Sequence, residues 1–133
     1  MKATTMKSPS RQALATLLAA GAALSLLTHA VPARADAASG KIAFAACAVC
    51  HSTTGSDGVG PHLNGVFGRQ AGSVSGFNYS RAMKQANRVW NEQTLAAFLA
   101  NPQAAVPGNH MPFSGLQDPQ QLADVVAYLA SLH

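Results

Sequence analysis

Five consecutive residues, Cys47-Ala48-Val49-Cys50-His51, constrain this chain more than any others. Cys47 and Cys50 are its two cysteines, so none is left for a framework disulfide and both thiols serve one local purpose. A separation of three residues puts two side chains about one helical turn apart. At that spacing two thiols can each add to one vinyl group of a single porphyrin. The next side chain, His51, is carried beneath the ring, where its imidazole can bind iron. C-x-x-C-H is the attachment pattern of a c-type haem. Thioether bonds hold the group without depending on affinity, so even a small, open domain cannot lose it by dissociation.

Other uses of C-x-x-C fit less well. A thioredoxin-like redox pair follows a strand in a βαβ unit, whereas the residues before Cys47 are Ala-rich and read as helix. A zinc site needs four ligands, and one cysteine pair with one histidine, lacking a second cluster, falls short. A disulfide within the motif closes too small a loop to stabilise much.

The start of the chain has a separate character. Lys2, Lys7 and Arg11 precede an apolar run from Ala13 to Leu27, broken by Thr16, Gly21 and Ser25, and Ala33-Arg34-Ala35 forms an A-x-A ending. This is the pattern of a secretory signal peptide, expected to span residues 1–35 with cleavage after Ala35. The run is shorter than the ~20 residues that cross a bilayer, so no stable membrane insertion is expected after cleavage. Residues 36–133 form one domain. Its expected destination is the periplasm, where haem is joined to thiols.

Cleavage also removes the apparent basicity. The chain's formal charge of +4 depends on Lys2, Lys7, Arg11 and Arg34 of the leader. The remainder balances Lys41, Arg69, Arg81, Lys84 and Arg88 against Asp36, Asp57, Glu92, Asp118 and Asp124. A sequence pI near 9.5 therefore reflects export and gives no support for binding nucleic acid. Large apolar side chains are few, with five Phe, two Tyr and one Trp. The haem itself is expected at the centre of the core, leaving the apo chain poorly folded.

Taken in order, Ser39 to about Cys50 reads as a helix capped by Ser39, with Ile42, Ala43, Ala46 and Val49 at helical spacing. Gly40 interrupts it, which a closely crossing second helix would explain. Ser52 to Gly76 carries seven glycines and Pro61 and reads as loop, with no phosphate-cradle spacing. Pro61 is expected beside His51, where a loop carbonyl can accept the imidazole Nδ1–H. Ser80 caps a short helix to Gln85, Asn91 a clearer one to Ala100 with Leu95, Phe98 and Leu99 as its stripe, and Asn101-Pro102 ends that helix. In the last helix Asp118 is the cap, Pro119 the first residue, and Leu122, Val125, Val126 and Leu129 the apolar face. No alternation is long enough for a strand, so the fold class is all-α.

The iron's sixth position separates functions, because an open face binds ligands and a methionine thioether supports electron transfer at raised potential. After the leader the candidates are Met83 and Met111. Met83 falls among helical alanines, where core packing is expected. Met111 stands in Pro107-Gly108-Asn109-His110-Met111-Pro112-Phe113, an irregular loop with little use for a core filler, and is the favoured ligand. His62 and His133 read as surface residues, while His110 could replace Met111.

Further residues recur in a telling order: Gly40 and Phe44 before the motif, Gly60-Pro61-His62-Leu63-Asn64-Gly65-Val66-Phe67-Gly68-Arg69, Gly76-Phe77-Asn78-Tyr79, Trp90, Asn101-Pro102, Val106-Pro107-Gly108, Met111, Phe113, and Val125 with Tyr128-Leu129. This pattern resembles the class I c-type cytochromes, the soluble monohaem proteins of mitochondria and bacteria. The resemblance implies a small cytochrome c fold of three to five helices around one haem c, covalently bound through Cys47 and Cys50. It implies His51 and Met111 as axial ligands and Pro61 as acceptor for His51. Tyr79 and Trp90 would donate to a haem propionate with Arg69 nearby, Phe113 would lie at the exposed haem edge, and Gly40, Phe44 and Tyr128 would form the contact between the first and last helices. It departs at Phe98, where relatives have a tyrosine bonded to the methionine sulfur, at Met83 in place of an asparagine, and at His110 in place of a lysine. The ring of lysines around the haem edge is missing. The implied activity is one-electron carriage, not enzymatic catalysis, by a monomer between a dehydrogenase or quinol-oxidising complex and an oxidase or reductase. Alternatives are a haem subunit bound permanently to a dehydrogenase and an open-site sensor or peroxidase.

Overall fold

Asp36 begins the first helix. Its carboxylate accepts from the backbone N–H groups of Ala38 at 3.2 Å and Ser39 at 2.9 Å, satisfying donors that a helix start leaves orphaned. The computed structural model describes residues 34–133, so most of the expected leader lies outside the described residues. Helix α1 is Ala37–Ala43 and tightens into a 3₁₀ turn at Phe44–Ala46. Then follow α2 (Arg81–Lys84), α3 (Glu92–Ala100), α4 (Pro102–Ala105) and α5 (Pro119–Ala130). No strand forms among the described residues, where Gln70 and Val89 make an isolated antiparallel bridge. The fold is all-α, as the sequence pattern indicates.

Two details of the first helix differ from expectation. Its cap is Asp36, not Ser39, because the carboxylate reaches two N–H groups while Ser39 lies inside the first turn. It also does not continue as α-helix to Cys50: beyond Ala46 the chain runs in hydrogen-bonded turns, with Cys50 N and His51 N both donating to Cys47 O. The helical spacing drawn through Ile42 and Val49 consequently fails. Both are about four-fifths exposed, at 79% and 80%, and Phe44 is the residue that turns inward.

The crossing inferred from Gly40 is present. A Cβ there would run into the Asp124 carbonyl and the Tyr128 Cβ, so α1 and α5 pack at a separation only glycine allows. Around it Phe44 and Tyr128 pair with ring centroids 5.2 Å apart, and Asp36 N donates to the buried Asp124 carboxylate at 2.7 Å. The stripe Val125, Val126 and Leu129 is buried beneath, each such side chain contributing about 1.5–3 kcal/mol.

Caps place the remaining helices. Asp118 accepts from Gln121 N at 2.7 Å, with Pro119 opening α5. Asn91 and Thr94 exchange side-chain and backbone bonds in a capping box, directing Leu95, Phe98 and Leu99 of α3 into the core. Asn101-Pro102 ends α3 as expected but also starts α4, where the sequence pattern indicates only loop. Asn101 accepts from Ala104 N at 3.0 Å, and proline at a first helical position lacks an N–H that no intrahelical bond would have used.

Candidate haem-binding site

The packed helices leave a large void between them. A cavity of ≈ 420 Å³ opens inside the domain, far larger than the water-sized gaps of a close-packed interior. Core side chains form its wall, Phe44, Val66, Trp90, Leu95, Phe98 and Leu129 among them. Cys47, Cys50, His51, Pro61, Arg69, Tyr79, Trp90, Met111 and Phe113 all line this one space. Met83 lines it too while packing as a buried member of the core, and Met111 is half-buried at the wall, so cavity lining alone does not separate the two methionines. His110 also reaches the cavity, while His62 stands outside its lining.

Local hydrogen bonds position the Cys47–His51 turn. Gly60 N donates to Cys50 O at 2.8 Å, and Leu63 N to Ser52 O at 2.8 Å, folding the glycine-rich loop back onto the motif. Gly60 is buried with no room for a side chain: a Cβ would lie 2.7 Å from His51 Nδ1 and 2.8 Å from Nε2. That absence of bulk lets Pro61 O come within 2.7 Å of His51 Nδ1. A carbonyl can only accept, so Nδ1 carries the proton and the Nε2 lone pair is free for a metal. Both cysteines are unpaired. Burial pushes the Cys47 thiol above its ordinary pKa, and Cys50 adds to the effect.

A second group of polar side chains is set by pairing between residues 68–71 and 88–90. Trp90 N donates to Arg69 O at 2.9 Å, and Gly68 N to Trp90 O at 2.7 Å. The Arg69 guanidinium donates to the Asn64 and His62 carbonyls at 3.2 and 2.7 Å. Burial lowers its pKa, opposed by Tyr79 and Asp57, yet arginine stays charged at any such shift. Tyr79 is raised, first by burial, so its hydroxyl stays a donor. These groups put hydrogen-bond donors and one positive charge on an otherwise apolar wall, a set suited to an anionic substituent.

Asn109 escaped the sequence reading. It is buried, at 6% exposure, in the loop that carries Met111. The available signal was an asparagine directly after Pro-Gly, a place where Asn side chains bond to neighbouring backbone. Arg88 was also passed over. It ties the bridge region to α4 through the Ala105 carbonyl at 2.9 Å.

Two thiols, an imidazole with its distal nitrogen free, a thioether and an apolar cavity are a donor set that fits haem c. Residues 37–133 match the Cytochrome c family model. The chain belongs to the cytochrome c family. Cytochrome c2 of Rhodomicrobium vannielii is 49% identical over 100 residues, covering 74% of this chain and 80% of that protein. Cytochrome c2 iso-2 of Magnetospirillum fulvum is 47% identical over 91 residues, 68% of this chain and 95% of its own. Among solved structures, cytochrome cH from Methylobacterium extorquens superposes with a TM-score of 0.69 at 43% identity, covering 71% of this chain and 97% of that one. A cytochrome c fold implies haem c, and Cys47 and Cys50 stand where the family's C-x-x-C-H motif has its cysteines.

Proposed function

We propose that this cytochrome c is an exported, monomeric one-electron carrier, its haem joined through Cys47 and Cys50 and ligated by His51 and Met111. The observation that carries the reading is the cavity, which gathers both cysteines, the Pro61-bonded His51 and the Met111 loop within the buried side chains of the core. Bound haem c supplies the Fe(III)/Fe(II) couple. The chain's residues set its terms. Pro61 O holds the His51 proton on Nδ1 and fixes the plane of the ring. The Met111 thioether is a soft donor that favours the reduced metal and raises the potential. Tyr79, Trp90 and Arg69 can bond a propionate, Arg69 lowering the cost of burying its charge. Phe98, Leu99 and Leu129 exclude water. With His51 and Met111 both holding the iron, no open site would be left for a substrate, in keeping with a carrier.

Export rests on the leader pattern and gains support from the fold. Cleavage after Ala35 would turn the nitrogen now 2.7 Å from the Asp124 carboxylate into an α-ammonium, giving the new terminus a partner. No helix among the described residues is long and apolar enough to cross a membrane. Electron donors and acceptors would be redox proteins, a dehydrogenase or quinol-oxidising complex on one side and an oxidase or reductase on the other. With no net charge on residues 36–133, docking would rely on apolar contact near Phe113 and the exposed Val59 more than on steering.

Material purified from periplasm tests the reading. N-terminal sequencing should begin at Asp36, intact mass should include one haem resistant to acid acetone, and the reduced protein should not bind CO. Extractable haem would remove the thioether assignment, and CO binding would restore the open-site alternative.

A further inference from the structure

The loop from Val106 to Phe113 has few backbone bonds of its own, Asn109 N to Val106 O at 3.0 Å and Phe113 N to Met111 O at 2.9 Å. Its main tie is one buried side chain. Asn109 Nδ2 donates to the Pro102 carbonyl at 2.8 Å and to the Val106 carbonyl at 2.9 Å, while Oδ1 accepts from Met111 N at 2.9 Å. From outside, Gln103 Nε2 donates to the Asn109 carbonyl at 3.1 Å. One planar amide thus joins the backbone of Met111 to carbonyls at both ends of α4.

We propose that Asn109 is a positioning residue for the sixth ligand: by clamping the Met111 amide to α4 it holds the thioether at the iron and sets how often the sulfur leaves. The inference rests on Met111 being that ligand. The chemistry selects asparagine. Two donors and an acceptor are needed at once, whereas serine offers one donor and an ionised aspartate none. Phe98 has no hydroxyl to steady the sulfur, so retention depends on the backbone that carries it. Partners that orient a metal ligand are worth about 10–100-fold in the metal bond.

The test uses ferric holoprotein and imidazole as the displacing ligand. Asn109→Ala should bind imidazole at least about tenfold faster than wild type and lose part of the far-red sulfur-to-iron absorption. Asp118→Ala, which removes the cap of α5 outside the Val106–Phe113 loop and the cavity lining, should lower stability and leave the imidazole rate unchanged. If Asn109→Ala yields no holoprotein, Gln103→Ala reads the same clamp from its exposed side, with an increase of about two- to tenfold from one lost hydrogen bond. A wild-type rate in the variant measured, or an equal increase in Asp118→Ala, would overturn the proposal. Met111→Ala separates it from the reading beneath. Loss of the far-red band there, alongside an unchanged rate in Asn109→Ala, rejects the clamp alone, whereas a surviving band rejects the ligand assignment and the clamp with it.

Discussion

The two loops that bring His51 and Met111 to the cavity are built in different ways. The His51 loop is tied at many points: Gly60 to Cys50, Leu63 to Ser52, Pro61 to the imidazole, and Asp57 to both the amide and the ring of His62. Two cysteines in the same turn can add covalent bonds. The Met111 loop has two prolines, a left-handed glycine and one buried asparagine. On the proposed ligation, the contrast teaches that a carrier can anchor its cofactor on one side and leave the other to a replaceable bond, whose lifetime depends on backbone rigidity.

The largest expected effect removes the anchor. With both Cys47 and Cys50 changed to alanine the chain should carry no covalent haem by intact mass, and far-UV circular dichroism should show loss of helix, since much of the core lines the emptied space. Retained helix would mean that the core closes without the cofactor.

Next comes the proposed ligand. Met111→Ala should lose the far-red band, bind CO when reduced and drop in potential, whereas Met83→Leu should do none of these. Because both methionines line the cavity, this pair of variants decides between them, and the reverse result would exchange their roles.

Two glycines then sharpen the comparison at smaller scale. Gly60→Ala drives a methyl against the His51 ring and should cost about 1–3 kcal/mol by overpacking, with a shifted potential as the ring tilts. Gly108→Ala has room, its nearest contact being Ala82 at 3.5 Å, but holds φ at 84°. It should cost about 1–2 kcal/mol from the left-handed backbone and act on the methionine side, as faster imidazole binding. Denaturant midpoints and potentials measured on both would merge the two loops if the effects did not separate.

The smallest effect is one of pH. The backbone N–H of His62 holds the Asp57 carboxyl below its ordinary pKa, with further help from the His62 ring. A depressed carboxylate contributes stability that is present above its unfolded value near 4 and lost as pH falls through the folded one. Wild type should therefore lose slightly more stability than Asp57→Ala between about pH 5 and 3. Parallel curves would show that this bond adds nothing to the His51 loop.

Much of this protein was legible in the sequence because the signals are local. Asp118-Pro119, Asn91 and Ser80 reach no farther than the next turn, and the cysteines and His51 form one short motif. Gly40 pointed to a distant contact because only close approach excuses a glycine inside a helix. Apart from the α1 cap, where Asp36 takes the place expected of Ser39 three residues on, the reading failed where distance intervened. Spacing cannot tell Ile42 from Phe44 until α5 arrives to cover one and not the other, and the helix could not run on to Cys50 because the motif turns inward to the cavity. Asn101-Pro102 ends a helix and also starts one, a choice that depends on the loop Asn109 then ties back. Residue type alone determined the chemistry on offer: two thiols, an imidazole and a thioether. The tertiary structure decided that Asn109 reaches back to the Pro102 carbonyl and that both methionines reach one cavity. Those contacts join residues whose separation carries no periodic signal and exist only once the chain has closed around a common centre.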